Sequence, residues 1–320
     1  MPEFNPSVQN TSDAQQPENN DITQEEISDI NQEEMSDNSV EEQEQEESKK
    51  ILGLSEEENK DPNKIKVEIS DTQTPIVILY GPPTCGKTMT LRRLTKYLLS
   101  EGYTIEPERG FRPTADTHYR KMCEEFDQII NSDYAASSTS LISFMLVKVY
   151  KNGRCLCQIL EAPGEYYFNK KNPNAPYPFY FHTIKNSPNR KVWAIMVEPD
   201  WNESQDRKNY VSRIHKLKSQ IHPTDKVVFM YNKIDRTKFV VSPGVVRMGE
   251  TIQRVKQDYP NLFVPFKNTN PITKLWKEYD CSFIPFQTGD YVPTSDGSMV
   301  FSEGPYEYPR QLWNELKKQI

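Results

Sequence analysis

Eight consecutive residues constrain this 320-residue chain more than any average over it: Gly81, Pro82, Pro83, Thr84, Cys85, Gly86, Lys87 and Thr88. They spell G-x-x-x-x-G-K-T between the apolar run Pro75-Ile-Val-Ile-Leu-Tyr80 and a segment, 88–100, in which Met89, Leu91, Leu94, Leu98 and Leu99 recur at helical spacings until Gly102. A short run that is apolar throughout reads as a strand buried on both faces, so the eight residues become a strand-to-helix loop. The glycines let such a loop wrap backbone N–H groups around phosphate oxygens, and the helix N-terminus behind it adds partial positive charge. Lys87 then reaches the terminal phosphates and Thr88 ligates Mg²⁺. Cys85, inside the loop, is either small filler or a redox-sensitive thiol near a helix N-terminus.

From Ile65 onward, β-branched and aromatic runs alternate with helical patterns. The runs 141–150 and 155–160 flank Lys151-Asn152-Gly153, and Asn-Gly between two strands marks a hairpin. Further strands are expected at 192–198, 226–231 and 282–286, separated by helices at 204–221, 249–258 and 272–279. Residues 116–131 read as an inserted helix with Tyr119, Met122, Phe126 and Ile129 on its core face, and a last helix is expected at 309–320. The expected fold is α/β over residues 65–320: a three-layer P-loop NTPase domain with a six-stranded, mostly parallel sheet and one antiparallel edge hairpin.

Residues 1–64 differ in kind, with 19 Asp/Glu against 4 Lys/Arg, so of the chain's net −7 the remainder carries +8 by difference. Poor in aromatics and rich in Glu, Gln, Asn and Ser, this stretch cannot bury enough apolar surface to offset its ordering entropy and is expected to be a disordered acidic tail. Within it, Ile22–Asp29 is nearly repeated by Ile30–Asp37, as a solvated leader or as a helix formed on a partner. The chain shows no secretory signal and no apolar run of membrane-spanning length. Its five cysteines (Cys85, Cys123, Cys155, Cys157, Cys281) form no Cys-x-x-Cys pair, and a soluble cytoplasmic protein is expected. The basic residues after 64 are scattered and no nucleic-acid recognition module accompanies them, so nucleic acid is not an expected partner. The histidines (His118, His182, His215, His222) have no metal-ligand spacing.

The phosphate loop alone admits several nucleotides. Asn232-Lys233-Ile234-Asp235, directly after the run 226–231, decides for guanine. Asp235 accepts from the ring N–H and the exocyclic amine, a donor pair adenine lacks; Asn232 supports the loop and the stem of Lys233 covers the ring. A buried carboxylate left unpaired by adenine is costly, which gives the motif its discrimination. Gln287-Thr288-Gly289, after the last strand, is either an ordinary turn or, by its position alone, resembles the place where proteins with these motifs set a backbone N–H against the guanine carbonyl.

Between these motifs stands Glu161-Ala162-Pro163-Gly164, at the end of an apolar run. The loop at 81–88, this Pro-Gly turn and Asn232–Asp235, in that order, resemble the Ras-like, translation-factor-related class of P-loop GTPases over roughly Pro75 to Gly289. The segment 162–168 and the long insertion before the second strand resemble its bacterial double-GTPase subgroup, associated with multi-protein defence or signalling systems. The resemblance implies that a threonine before the second strand closes on Mg²⁺ and the γ-phosphate, with Thr139 as first choice and Thr114 and Thr117 as alternatives. It implies that Glu161 replaces the Asp that holds Mg²⁺ through water. Gly164 then offers its N–H to the γ-phosphate, and Glu165 stands where relatives place the Gln that orients attacking water. Arg112 and Arg120 either stabilise transferring phosphate charge or are surface residues. The aromatic stretch 165–182 either packs internally or presents Tyr166, Tyr167 and Phe168 in one nucleotide state.

The function expected from these features is a GTP/GDP- and Mg²⁺-binding protein that hydrolyses GTP slowly and switches a protein effector or activating partner. A non-hydrolysing pseudo-GTPase is the second reading, favoured by Glu161 and Glu165; an ATPase or kinase is disfavoured by Asp235.

Overall fold

The computed structural model of the chain describes residues 54–131, 144–199, 203–293, 295 and 299–320. Thr139 and the N-terminal stretch 1–53, with its octad repeat, lie outside the described residues. The main sheet contains β1 (Ile76–Tyr80), β2 (Thr104–Pro107), β3 (Met145–Lys151), β4 (Arg154–Glu161), β5 (Lys191–Val197) and β6 (Lys226–Tyr231). Two short ribbons flank its last member: β7 (Val240–Ser242) pairs with β8 (Val245–Val246), and after β9 (Ser282–Pro285), β10 (Asp290–Pro293) pairs with β11 (Met299–Ser302).

The strand order is β2-β3-β4-β1-β5-β6-β9, so the sheet has seven strands where six were expected. The four pairings from β4 to β9 are parallel, while β2–β3 and β3–β4 are antiparallel. The Asn152-Gly153 hairpin is present but does not form the edge, because β2 covers it. β2 escapes detection in the sequence because it is four residues long and contains Pro107, tolerated where an edge strand leaves an N–H unused. Every residue of β1 and β5 is buried, which is why both read as continuous apolar runs.

Helix α1 (Glu56–Lys60) opens the described chain, capped reciprocally by Ser55 and Glu58. Leu54 is buried and Glu58 pairs with Arg112, so this helix packs on the domain. Helix α2 (Lys87–Ser100) follows the phosphate loop and ends as its composition requires: Tyr103 N bonds Leu98 O, Gly102 N bonds Leu99 O, and Gly102 takes the left-handed φ of 71°. The inserted helix divides at Glu125 into α3 (Thr117–Glu124) and α4 (Phe126–Asn131), with Tyr119, Met122 and Phe126 in the core.

Beyond β4 come α5 (Gly164–Tyr167), α6 (Phe179–Asn186), α7 (Ser204–Lys218), α8 (Met248–Asp258) and α9 (Glu307–Gln319). The helix expected at 272–279 is instead one 3-10 turn, Thr273–Leu275. Its polar neighbours compete with helix formation: Asn268 Oδ1 accepts from Asn270 N, and Asn270 Oδ1 accepts from Ile272 N and Thr273 N. Helix α9 buries Leu312, Trp313 and Leu316 and packs on α2 and β9. No helix among the described residues is long and apolar enough to cross a membrane.

Candidate functional site

Strand β1 ends in the phosphate loop, and Gly86 at φ 91° starts α2. The loop is tight. A Cβ added to Gly81 would lie 2.5 Å from Cys85 Sγ, and one added to Gly86 would lie 2.5 Å from Asn232 Nδ2 and 2.9 Å from Thr288 Cγ2. Close approach therefore calls for glycine at both ends, and at Gly86 the left-handed φ calls for it as well. Lys87 is buried and turns back over the loop, its Nζ donating to Pro82 O at 2.9 Å and Gly81 O at 3.2 Å. Cys85 is filler rather than a sensor: Sγ packs on Met196 Sδ, and burial pushes the thiol up to about 11 despite the opposing charge of Lys87.

The parallel register Leu79↔Glu161 carries the end of β4 beside the start of the loop. Glu161 is buried, Oε1 accepting from Thr88 Oγ1 at 3.1 Å and Oε2 from Phe144 N at 2.8 Å. Burial raises its pKa above the ordinary carboxylate value, against the pull of Lys87 and both hydrogen bonds; Glu165 adds to the rise. Gly164 touches the phosphate loop: a Cβ there would meet Pro82 C and Pro83 N at 2.4 Å. The turn and the loop can meet this closely only through a glycine. Glu165, one residue on, is exposed in α5.

Asn232 joins the base motif to the phosphate loop. Its backbone N bonds Val197 O at 2.8 Å, its Nδ2 donates to Cys85 O at 2.8 Å, and its Oδ1 is buried with no hydrogen-bond partner among the described residues. Lys233 adopts φ 56° and pairs with the buried Glu198 at 2.5 Å. Burial raises the pKa of Glu198, with Lys233 opposing. Ile234 N bonds Phe286 O at 3.1 Å, fixing the base motif to the end of β9, and Asp235 is exposed in the short 3-10 turn that follows. Gln287 and Thr288 are buried beside it.

Phosphate loop, Glu161 turn, base motif and the loop at 287–288 thus converge at the C-terminal ends of β1, β4, β6 and β9, where an open α/β sheet takes its ligands. No family model matches the chain, and no curated protein matches its sequence. Solved structures that resemble it include the crystal structure of a Plasmodium falciparum protein described as nucleolar GTP-binding protein 1, at TM-score 0.37 and 14% identity, covering 79% of this chain and 90% of that one. So distant a likeness carries no argument, and the site is read from its own residues.

Several sequence candidates take other roles. Arg112 is a structural clamp: it is buried, bonded to Glu58 at 2.6 Å, Asp116 at 2.8 Å and Lys66 O at 2.9 Å, and lies over the Phe144 ring. Thr114, Thr117 and Arg120 are exposed, Thr117 opening α3. The aromatic stretch is packed inward in this structure. Tyr167 and Phe168 are buried, and Tyr80 stacks on Tyr167 at 4.6 Å and bonds the Tyr177 hydroxyl at 2.8 Å. Arg213 of α7 lies 3.6 Å over the Tyr177 ring and donates to Tyr167 O at 2.9 Å.

Three contributors escaped the sequence reading. Phe144, at the strained φ of 78°, supplies the N–H that holds Glu161; Glu198 holds Lys233; and Arg93 of α2 reaches the carbonyl of Gln287. The sequence signal for Arg93 and Glu198 is a charged residue within an otherwise apolar pattern.

Proposed function

We propose that this protein binds guanine nucleotide, hydrolyses GTP slowly to GDP and phosphate, and uses the bound nucleotide to control a protein partner. The observation that carries the reading is the Asn232 Nδ2 to Cys85 O bond, which welds a base-reading motif onto a phosphate loop through one buried contact. The two motifs follow β1 and β6, parallel strands of one sheet with β5 between them, and open at the same end of it.

The residues also fit Mg²⁺. Thr88 Oγ1 and Glu161 Oε1 present hard oxygens 3.1 Å apart at the loop. Thr88 and Glu161 would hold the ion, which neutralises phosphate charge when bound. A cation next to Glu161 favours its ionised form, opposing the effect of burial. Lys87, now on loop carbonyls, exchanges them for phosphate oxygens, and Gly164 offers its N–H from the turn against Pro82. Glu165 brings a carboxylate where the resemblance puts an amide. It can orient water but adds negative charge near an anionic phosphate, so turnover without a partner is slow. Thr139 is assigned to close the site from the segment before β3. The double-GTPase resemblance adds a defence or signalling setting.

The second reading, a nucleotide-stabilised module that does not hydrolyse, is favoured by Glu161 itself, whose longer arm already engages Thr88 and Phe144. Turnover of GTP with Mg²⁺, measured beside GTP, GDP and ATP binding and a Glu161→Asp variant, separates the two. Slow turnover with guanine-selective binding supports the switch; binding without turnover, with turnover restored by Glu161→Asp, supports the module; equal binding of ATP refutes both.

A further inference from the structure

Arg93 sits in α2, six residues beyond Lys87, and is 2% exposed. A guanidinium this deep is expensive to desolvate, so its partners need explaining. Nη1 donates to the carbonyl of Gln287 and Nη2 to the carbonyl of Pro305, while the group lies 5.8 Å from the Phe286 ring and 5.9 Å from the Tyr308 ring. The same helix ties down the chain between β11 and α9 a second and a third time: Lys96 pairs with Glu303 at 2.7 Å, and Tyr97 packs edge-on against Tyr306 at 5.3 Å.

The consequence for the loop after β9 is geometric. In a planar trans peptide the C=O of Gln287 and the N–H of Thr288 point in opposite directions. Arg93 captures the C=O, so the N–H of Thr288 points away from the Arg93 guanidinium. The rest of the loop is held as firmly. The Thr288 methyl packs on Gly86, and Gly289 turns at φ 105° so close to β11 that an added Cβ would lie 2.5 Å from Ser302 O. One helix therefore carries the phosphate loop at its N-terminus and, through Arg93, orients the peptide that borders the base side.

We propose that Arg93 is a positioning residue for base recognition: it fixes the Gln287–Thr288 peptide so that the Thr288 N–H donates to the 6-oxygen of a bound guanine, and it does so from the helix that binds the phosphates. This rests on the guanine-nucleotide reading above. Arg93 itself touches neither base nor phosphate. Its loss weakens the discrimination of one atom of the ligand and leaves the phosphate contacts standing.

The test pairs a protein change with a ligand change. Affinities of the full chain for GDP and 6-thio-GDP are measured with Mg²⁺, the thio analogue keeping the ring N–H and amine but replacing the 6-oxygen with a large, weak acceptor. The intact chain is expected to favour GDP by about tenfold or more. Arg93→Met is expected to lose about tenfold for GDP and under about threefold for 6-thio-GDP, collapsing the ratio; Arg93→Lys, which keeps charge and a donor, retains part of it. Arg93→Lys also serves should Arg93→Met fail to fold. Equal losses for both ligands, or no loss for either, would overturn the proposal by making Arg93 purely structural. An intact chain that favours GDP over ADP yet ignores the thio exchange overturns this inference alone, whereas one that does not favour GDP over ADP overturns the guanine reading beneath it.

Discussion

The two sides of the site are assembled differently. On the phosphate side, one loop of eight consecutive residues supplies the cradle, and a strand beside it brings Glu161 and Gly164. On the base side, Asn232 reaches a phosphate-loop carbonyl across 147 residues of chain, and Gln287 is held by an arginine 194 residues away. The phosphate cradle is one contiguous loop completed by its own Lys87 and Thr88; the base side is assembled from distant parts of the chain by single side chains. Damage on the first side should therefore remove nucleotide binding, and damage on the second should change which nucleotide binds.

The largest effect expected is on the local side. Lys87→Ala should weaken GDP and GTP about 100-fold or more, since hydrogen bonds to charged groups are the strong ones, while leaving the melting temperature of the nucleotide-free protein within a few degrees. Calorimetric titration beside thermal melting checks this, and unchanged GTP affinity would remove Lys87 from the site. Next comes the base side. Asp235→Asn should lower GTP affinity about 10- to 100-fold and transfer preference to xanthosine triphosphate, whose ring oxygen suits an amide donor. A variant that still chooses GTP over the xanthine nucleotide breaks the contrast between the two sides.

Smaller and of opposite sign is Glu161→Gln. Burial raises the pKa of Glu161, so the folded chain holds that proton more tightly than the unfolded chain does. Its stability contribution is complete below the ordinary carboxylate range and is lost as pH rises through the raised folded value. Glu161→Gln should therefore stabilise the nucleotide-free protein by about 1 kcal/mol at neutral pH, roughly 2–4 °C, with the gain vanishing in acid. The same variant should weaken Mg²⁺-dependent nucleotide binding. Melting curves with and without GDP and Mg²⁺ from pH 5 to 8 would show it, and a variant destabilised throughout would mean that the carboxylate serves the fold. Glu165→Gln, at an exposed position, should leave stability within about 0.5 kcal/mol and act on turnover alone.

The same contrast explains what could be read in the sequence. The phosphate loop, the buried strand before it and the amphipathic helix after it were legible because their signals are contiguous. Asn232–Asp235 was legible because the motif follows a strand directly. Thr104–Pro107 was missed because a four-residue edge strand has no periodicity to detect, and the helix expected at 272–279 was displaced by side-chain bonds from Asn268 and Asn270. Arg112 looked like a candidate for phosphate chemistry, but it pairs with Asp116, four residues on, and with Glu58, which folding brings to it. Arg93 and Glu198 carried only the signal of a charge beside apolar residues, and their roles could not be read because their partners lie far along the chain.

The central claim is that one site reads phosphate and guanine together, and calorimetric titration of GDP and of ADP into the full chain with Mg²⁺ tests it most directly. The account predicts GDP binding at least about 100-fold tighter than ADP, lost in Lys87→Ala. Equal affinity for the two nucleotides, or binding unaffected by Lys87→Ala, would contradict it.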